Sequence, residues 1–188
     1  MSDTVKTALL NNQIGLFPCD TMWGLIGRMH PDVATLLCKV KKRALANGFI
    51  VLIPQNYTLD KLCPLRSETA TKLIETYWPG PLTLILNQHD HIPKEITGNH
   101  NSIAVRMPKD GPIAELLTEL QEPLLSTSVN QSGETPHQNI KTVPEAILSA
   151  ASFCIEAEPN SSNTPSTIIN CQSDTPKLIR QGHLDIPL

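Results

Sequence analysis

The sequence lacks the paired cysteines, glycine-rich phosphate loops and long apolar runs that mark several large protein classes. Its five cysteines are odd in number and include no CxxC pair, which disfavours a disulfide framework or a zinc ribbon and favours reduced thiols. Neither GxxxxGK(S/T) nor GxGxxG occurs, so any nucleotide site must be built in another way. The sequence contains no apolar run of about 18 residues and no basic leader followed by an apolar segment. We therefore expect a cytoplasmic protein without membrane contact.

A large excess of one charge is also missing. Fifteen lysines and arginines stand against eighteen aspartates and glutamates, which gives a formal charge of −3. Proteins that bind nucleic acid mainly through phosphate contacts are normally basic, so wholesale nucleic-acid binding is disfavoured. The charge is unevenly distributed, because residues 1–50 hold six basic and three acidic side chains, whereas the remainder holds nine and fifteen. A small cationic site is compatible with the acidic total.

The length of 188 residues predicts one domain, 1–188, with no second C-terminal domain. Apolar runs predict strands at residues 14–17, 49–53, 82–86, 102–107, 123–126, 153–156, 167–170 and 178–179. Helical spacing predicts helices near the N-terminus and at residues 31–43, 67–77, 112–120 and 143–151. Residues 18–25 are interpreted as a turn and residues 87–101 as a polar surface excursion. The alternation predicts a three-layer α/β domain in which the strands are not all parallel.

Two polar segments of the first half could hold a ligand. Asp20 and Thr21 follow the first predicted strand, where they could contact a ligand or only stabilise a turn. Residues 39–43 place four cations at the end of a predicted helix, and Asn47 follows them. Such cations either complement the helix dipole or bind a polyphosphate. The sequence alone leaves both pairs of alternatives open.

Other polar groups adjoin strands of the second half. Ser102 and Arg106 share one face of a predicted strand. A buried arginine needs a partner, which is either a carboxylate of the protein or one of a ligand. Residues 126–133 bring hydroxyls and an amide to a strand end, where they could bind phosphate or ribose oxygens or cap a turn. Ser166 and Arg180 are weak signals by themselves.

Two further kinds of site receive little support. A catalytic serine is disfavoured because no GxSxG elbow occurs. Three histidines lie in the polar stretch 87–101, but histidines in such a stretch are more often solvated than bound to a metal. We therefore predict no metal site on the protein itself.

Taken in order, these segments resemble the YrdC family of threonylcarbamoyl-AMP synthases. The typical sequence motifs of that family are P-T-D-T-x-Y-G-L, K-x-R, W-P-G-P-x-T, A-V-R, S-T-S-A-N-x-S-G, and S-T followed by R-x-G. They correspond here to residues 18–25, 41–43, 78–83, 104–106, 126–133, 166–167 and 180–182. Each motif alone is modest evidence for the family, whereas the occurrence of all of them in the same order along the chain is specific. The resemblance covers nearly the whole chain, from about Val5 to Gly182.

This resemblance implies a twisted open mixed sheet with helices on both faces, whose concave side binds ATP and L-threonine. It implies a nucleotidyltransferase that joins L-threonine, bicarbonate or CO₂, and ATP to give L-threonylcarbamoyladenylate and pyrophosphate, with Mg²⁺ on the ATP phosphates. A downstream threonylcarbamoyl-transferase complex would then pass the group to an adenosine of tRNA. Whether this protein contacts tRNA directly is left open.

The resemblance also implies roles for individual residues. Those around threonine would be Thr21, Arg106, Ser126 and Ser166. Those around ATP would be Lys41, Arg43, Asn47, Ser102, Ser128, Asn130 and Arg180. Among these, Lys41 would lie over the phosphates and act with Arg43 as a catalytic cation, while Asn130 would brace its loop or reach the ribose. Four residues depart from the family motifs. Cys19 replaces threonine, Trp23 replaces tyrosine and Val129 replaces alanine, and Ala44 replaces the proline that follows K-x-R.

Two alternatives to a synthase come from the same resemblance. A YrdC-like protein could bind RNA or a nucleotide without catalysing the reaction, because the sheet and the cationic segment would survive a loss of activity. A similar domain also performs carbamoyl transfer inside larger hydrogenase-maturation proteins, although the accompanying domains are missing from this sequence. Incubation with ATP, bicarbonate and a panel of amino acids would distinguish these alternatives.

Overall fold

The computed structural model describes residues 3–64, 66–98, 100–131, 134–135, 137, 139–155 and 164–187. The helices in this part of the chain are α1 (Asp3–Leu10), α2 (Pro31–Lys41), α3 (Glu68–Tyr77), α4 (Lys94–Thr97), α5 (Gly111–Leu120) and α6 (Glu145–Leu148). The strands are β1 (Gly15–Pro18), β2 (Trp23–Arg28), β3 (Ile50–Leu52), β4 (Leu82–Asn87), β5 (Ser102–Arg106), β6 (Leu124–Ser128), β7 (Phe153–Cys154), β8 (Thr167–Asn170) and β9 (Lys177–Arg180).

All nine of these strands form one sheet in the order β7-β1-β2-β6-β3-β5-β4-β8-β9. The pairs β1/β7, β3/β5 and β4/β8 are parallel, and the other neighbours are antiparallel. The sheet is therefore mixed and open. This confirms the α/β fold and the mixed strand pairing predicted from the sequence.

Side chains of successive strand residues point to opposite faces of the sheet, and two apolar clusters result. In β1, Leu16 belongs to the larger cluster, which also contains residues of α2, α3 and α6, whereas Phe17 belongs to the smaller one, with residues of α1 and α5. Helices thus cover both faces, as predicted. The smaller cluster contains no residue of β4, β5 or β8. On that face, Ser102 and Arg106 of β5 border a cavity, together with Ile85 of β4 and Ile168 of β8.

Two sequence predictions are wrong in detail. The region 18–25, interpreted as a turn, contains the start of β2, which runs from Trp23 to Arg28. Two glycines within six residues weaken the strand signal there. The region 87–101, interpreted as a surface excursion, contains α4, in which Ile96 and Thr97 are buried. A four-residue helix is too short to produce a helical pattern in the sequence.

Other boundaries differ by a few residues. Helix α2 ends at Lys41 rather than Arg43, because Lys42 adopts left-handed backbone angles with φ of 50°. Helix α6 is shorter than the predicted 143–151, and β6 is longer than the predicted 123–126. The end of the predicted strand 153–156 lies outside the described residues.

Four of the five cysteines are buried free thiols: Cys19, Cys38, Cys63 and Cys171. Among the described helices, none combines the length and the apolar character needed to span a membrane.

Candidate functional site

A cavity of about 300 Å³ lies on the sheet face that bears the smaller apolar cluster, at the lower end of the roughly 300–1,000 Å³ typical of small-molecule sites. Nine of the eleven residues to which the resemblance gave a role line this cavity: Thr21, Arg43, Asn47, Ser102, Arg106, Ser126, Ser128, Ser166 and Arg180. They come from six separate stretches of the chain. The structure does not bring Lys41 or Asn130 to the cavity wall.

The strand register explains why residues so distant in sequence meet. Ser126 in β6 pairs with Ile50 in β3, which pairs with Ala104 in β5, which pairs with Ile85 in β4. All four residues line the cavity, so this register row forms part of its floor. The small side chains of Ser126 and Ala104 leave room above the sheet at this level.

Arg106 sits at the end of β5 and is only 4% exposed. Its Nη2 donates to Asp20 Oδ1 at 2.7 Å, and its Nη1 donates to Thr21 Oγ1 at 3.1 Å. Its Nε is buried and has no hydrogen-bond partner among the described residues. The structural ion pair left open by the sequence is therefore present, and the Nε–H still lacks an acceptor that a ligand could supply.

Asp20 is the residue that fixes the Arg106 side chain, a pairing that was not predicted from the sequence. The two side chains retain only 5% and 7% of their exposure, so each charge depends on the other for compensation. Asp20 follows β1 and Arg106 ends β5, 86 positions later in the sequence. No local pattern could have linked them.

A second cation, Arg180 at the end of β9, is anchored to Ser166. Its Nε and Nη2 donate to the Ser166 carbonyl at 3.1 and 2.9 Å, and Nη2 also donates to Ser166 Oγ at 3.1 Å. Ser166 Oγ is also 2.8 Å from Thr83 Oγ1. Partial burial lowers the pKa of Arg180, and the positive charge of Arg106 lowers it further. The two guanidinium groups thus create a positive potential on one side of the cavity.

The third cation, Arg43, joins the segment after α2 to β6. Its Nη2 donates to the carbonyls of Asn47 and Gly48 at 2.7 and 2.6 Å, and its Nη1 donates to Thr127 Oγ1 at 3.3 Å. The guanidinium carbon also lies 5.3 Å from the centre of the Phe49 ring, within the range of a cation–π contact. Burial lowers the pKa of Arg43. Its side chain is held rigidly where it borders the cavity.

Lys41 lies behind the cavity wall, which differs from its expected position over the phosphates. It is 2% exposed. Its Nζ donates to the carbonyls of Ser128 and Asn130 and, at 3.0 Å, to Asn130 Oδ1. Asn130 Nδ2 in turn donates to the carbonyls of Gln131 and Glu134 at 2.9 and 2.7 Å. Lys41 and Asn130 therefore brace the loop after β6. The last two positions of the motif at residues 126–133, positions 132 and 133, lie outside the described residues.

Burial lowers the pKa of Lys41 from 10.5 to about 8, with the charge of Arg43 as a smaller cause. Between these values the unfolded chain binds the additional proton, so the free energy of unfolding rises with pH in that window. Below pH of about 8 both states are protonated and the contribution is constant. We expect wild type to gain up to about 3 kcal/mol relative to Lys41→Met between pH of about 8 and 10.5.

Denaturant unfolding of both proteins across this window measures the effect. Other titrating groups are common to the two proteins, so they cancel in the difference. A difference that does not change with pH would contradict a depressed pKa of Lys41.

The four residues that differ from the family motifs lie in different environments. Trp23 lines the cavity although it is only 3% exposed, and buried Cys19 lines it as well. Burial raises the pKa of Cys19 to about 12, so this thiol stays protonated. Val129 packs in the larger apolar cluster and does not line the cavity. Ala44 has φ of −67°, a value that proline would also adopt.

The sequence did not identify several residues that border the cavity. One group is apolar: Phe49, Ile85, Ile168 and Ile179. Their strand positions appeared to belong to ordinary apolar runs. Thr97 and His100 also line the cavity, and both belong to the stretch interpreted as a surface excursion. Of the other histidines there, His89 and His91 stack on each other with ring centres 5.3 Å apart and do not line the cavity.

The donors around the cavity bear on metal binding. Among the described residues that line it, none carries a carboxylate, and no group of three or more metal-binding side chains occurs elsewhere in the described ranges. Hydroxyls and guanidinium groups alone do not make a protein site for Mg²⁺.

An open mixed sheet with a cation-lined cavity defines an α/β protein whose site suits a small anionic ligand. A family model named Sua5/YciO/YrdC and described as "Telomere recombination" matches residues 7–182. The chain belongs to this family, as the resemblance in the sequence predicted.

Named relatives and a solved structure agree with this membership. A threonylcarbamoyl-AMP synthase of Bacillus subtilis is 30% identical over 177 residues, which cover 93% of this chain and 51% of that protein. One of Xanthomonas axonopodis pv. citri is 29% identical over 178 residues, covering 91% of this chain and 93% of that protein. Pyrococcus abyssi Sua5, solved in complex with L-threonine, has a TM-score of 0.85 and 28% identity, covering 95% of this chain and 53% of that one. The chain thus spans about half the length of the B. subtilis and P. abyssi proteins.

Proposed function

We propose that this protein is a nucleotidyltransferase that makes L-threonylcarbamoyladenylate from L-threonine, bicarbonate or CO₂, and ATP, releasing pyrophosphate. The observation that carries the proposal is the meeting of Arg43, Arg106 and Arg180 in one cavity. Relatives that match 91–93% of the chain bear the name threonylcarbamoyl-AMP synthase. The reaction is the first step of threonylcarbamoyladenosine formation in tRNA.

L-threonine binds between Arg106 and Ser166 in this proposal. The spare Nε–H of Arg106 donates to the threonine carboxylate, because a charged acceptor there compensates a buried donor that lacks a partner. Ser126 and Thr21 border the same part of the cavity and offer hydroxyls to the amino acid. That P. abyssi Sua5 has been solved with L-threonine supports this assignment.

ATP binds toward Arg43, where Asn47, Ser102 and Ser128 also border the cavity. The threonine amine attacks the carbon of CO₂ and loses a proton, which gives a carbamate. A carbamate oxygen then bonds to the α-phosphorus while the bond from that phosphorus to the bridging oxygen breaks, and pyrophosphate leaves with the electron pair. Arg43 and Arg180 stabilise the negative charge of the transition state, so catalysis rests on positioning and electrostatics.

Lys41 and Asn130 serve the same reaction from behind the wall. By holding the carbonyls of the loop after β6, they keep the hydroxyls of Ser126 and Ser128 in position. Lys41 is therefore proposed as a positioning residue. Mg²⁺ would be held by the phosphate oxygens of ATP and not by side chains of this chain, and it would supply charge neutralisation there.

The product is an activated acyl phosphate that another protein must consume. We propose that a threonylcarbamoyl-transferase complex takes it and modifies tRNA, in the cytoplasm, where free thiols such as those of this chain persist. Direct tRNA contact by this protein is not needed for its own reaction.

Pyrophosphate release tests the proposal. We expect release to require ATP and bicarbonate, and to occur with threonine at least tenfold faster than with serine or valine at equal concentration, because the cavity combines hydroxyl groups with an apolar wall. Tight binding of nucleotide or RNA without any amino-acid-dependent release would instead identify a non-catalytic member of the family.

A further inference from the structure

Thr97, a residue of the cavity wall, has a buried hydroxyl that the proposed mechanism does not use. Thr97 is the last residue of α4, lines the cavity and is only 4% exposed. Its Oγ1 is buried and has no hydrogen-bond partner among the described residues. A threonine hydroxyl in a helix can bond to a carbonyl one turn earlier. A buried hydroxyl without such a bond needs another partner, such as a bound ligand or a water molecule.

The backbone holds Thr97 in place through two close glycine contacts. A Cβ on Gly98 would lie 2.3 Å from the Ala46 carbonyl oxygen, and a Cβ on Gly48 would lie 2.8 Å from the Thr97 carbonyl oxygen. The Phe49 amide also donates to the Ile96 carbonyl at 3.0 Å. The end of α4 and the turn at residues 45–48 therefore touch backbone to backbone, and Thr97 is fixed relative to that turn.

The same turn carries the Arg43 contacts. Arg43 Nη2 donates to the carbonyls of Asn47 and Gly48, and Gly48 is the residue against which Thr97 packs. The threonine half of the cavity is built from different elements, since Arg106 contacts Asp20 and Thr21 instead. Thr97 thus belongs to the part of the cavity beside Arg43, where ATP is proposed to bind.

We propose that Thr97 is a nucleotide-contacting residue, whose hydroxyl donates a hydrogen bond to an oxygen of ATP bound beside Arg43. Rotation about χ1 would turn this hydroxyl toward the cavity without moving the backbone. Binding of the nucleotide would then satisfy a buried group that the free protein leaves unpaired. This inference rests on the proposed function, because it takes ATP as the ligand of the cavity.

Thr97→Val and Thr97→Ser form a matched pair that tests the hydroxyl. Valine keeps the shape of the side chain and removes the hydroxyl, whereas serine keeps the hydroxyl and removes the methyl group. We expect Thr97→Val to weaken binding of a non-hydrolysable ATP analogue about tenfold, the effect of losing one hydrogen bond to a charged group. Threonine affinity should stay within twofold of wild type, and Thr97→Ser should bind the analogue within threefold of wild type.

Calorimetric titration measures both affinities, and thermal unfolding separates contact from structure. Because valine would remove a buried hydroxyl that lacks a partner, the melting temperature of Thr97→Val should not fall. Analogue affinity equal to wild type, a loss confined to threonine, or a weaker affinity accompanied by a lower melting temperature would each overturn the inference. If wild type binds no ATP analogue, the proposed function fails and this inference fails with it. If wild type binds it and Thr97→Val binds it equally well, only this inference fails.

Discussion

Replacing Arg106 with alanine should lower kcat/KM for threonine at least a hundredfold. The substitution removes the Nε–H, which is buried without a partner and is proposed to bind the threonine carboxylate. Truncating one side of a buried, hydrogen-bonded charge pair typically costs 2–5 kcal/mol of binding, or about 30-fold to several thousandfold. Steady-state kinetics with threonine varied at saturating ATP measures the effect.

The same substitution should also destabilise the fold, since it leaves Asp20 buried without its partner. Loss of one member of such a pair costs about 3–5 kcal/mol. The double variant Asp20→Asn/Arg106→Gln provides the control, because it removes both charges while keeping two hydrogen-bonding side chains. We expect this double variant to regain most of the unfolding free energy but none of the activity. Recovery of threonine turnover in it would show that Arg106 acts only through the stability of the fold.

Replacing Arg43 with alanine should reduce kcat/KM for ATP at least a hundredfold. This side chain contributes a positive charge to the cavity and also holds the carbonyls of Asn47 and Gly48. Its removal would weaken transition-state stabilisation and loosen the turn that positions Thr97. Arg43→Lys should recover only part of the activity, because a lysine cannot reproduce the planar fork that reaches two carbonyls and Thr127.

Lys39→Ala is the matched control for Arg43, since it removes one charge from the same cationic segment at an exposed position. We expect it to change kcat/KM for ATP less than threefold. An equal loss in Lys39→Ala and Arg43→Ala would mean that ATP responds only to the overall charge of the segment, and the specific role of Arg43 would be wrong. Measurements at two salt concentrations separate the two contributions, because salt screens exposed charges more strongly.

Much of the fold was predictable because its elements have clear local signals. Pro31 at the start of α2 and Ser67 as the N-cap of α3 mark helix starts that agree with the structure. Apolar runs located β3, β4 and β8 to within two residues. In contrast, β2 was missed because its glycines dilute the apolar pattern, and α4 because four residues are fewer than two helical turns.

Most polar residues of the cavity were predicted, but their arrangement and the hydrogen bonds behind the cavity wall were not. The resemblance indicated nine of the lining side chains, and seven of these lie in or beside strands, where strand register brings them together. The contact between Lys41 and Asn130 joins residues 89 apart. The resemblance placed Lys41 over the phosphates and gave Asn130 either a bracing role in its loop or a contact to the ribose. Whether a lysine faces a ligand or a loop carbonyl depends on where the end of α2 lies relative to that loop, which no local pattern encodes.

The central claim is that one cavity joins threonine, carbon dioxide and ATP. Mass spectrometry of reactions with isotopically labelled bicarbonate tests it most directly. The account predicts a threonine adduct of AMP that carries one labelled carbon, forms only when all three substrates are present, and is reduced at least a hundredfold in Arg43→Ala and Arg106→Ala. An adenylate without the labelled carbon, or wild-type protein that binds ATP and threonine but forms no adduct, would contradict it.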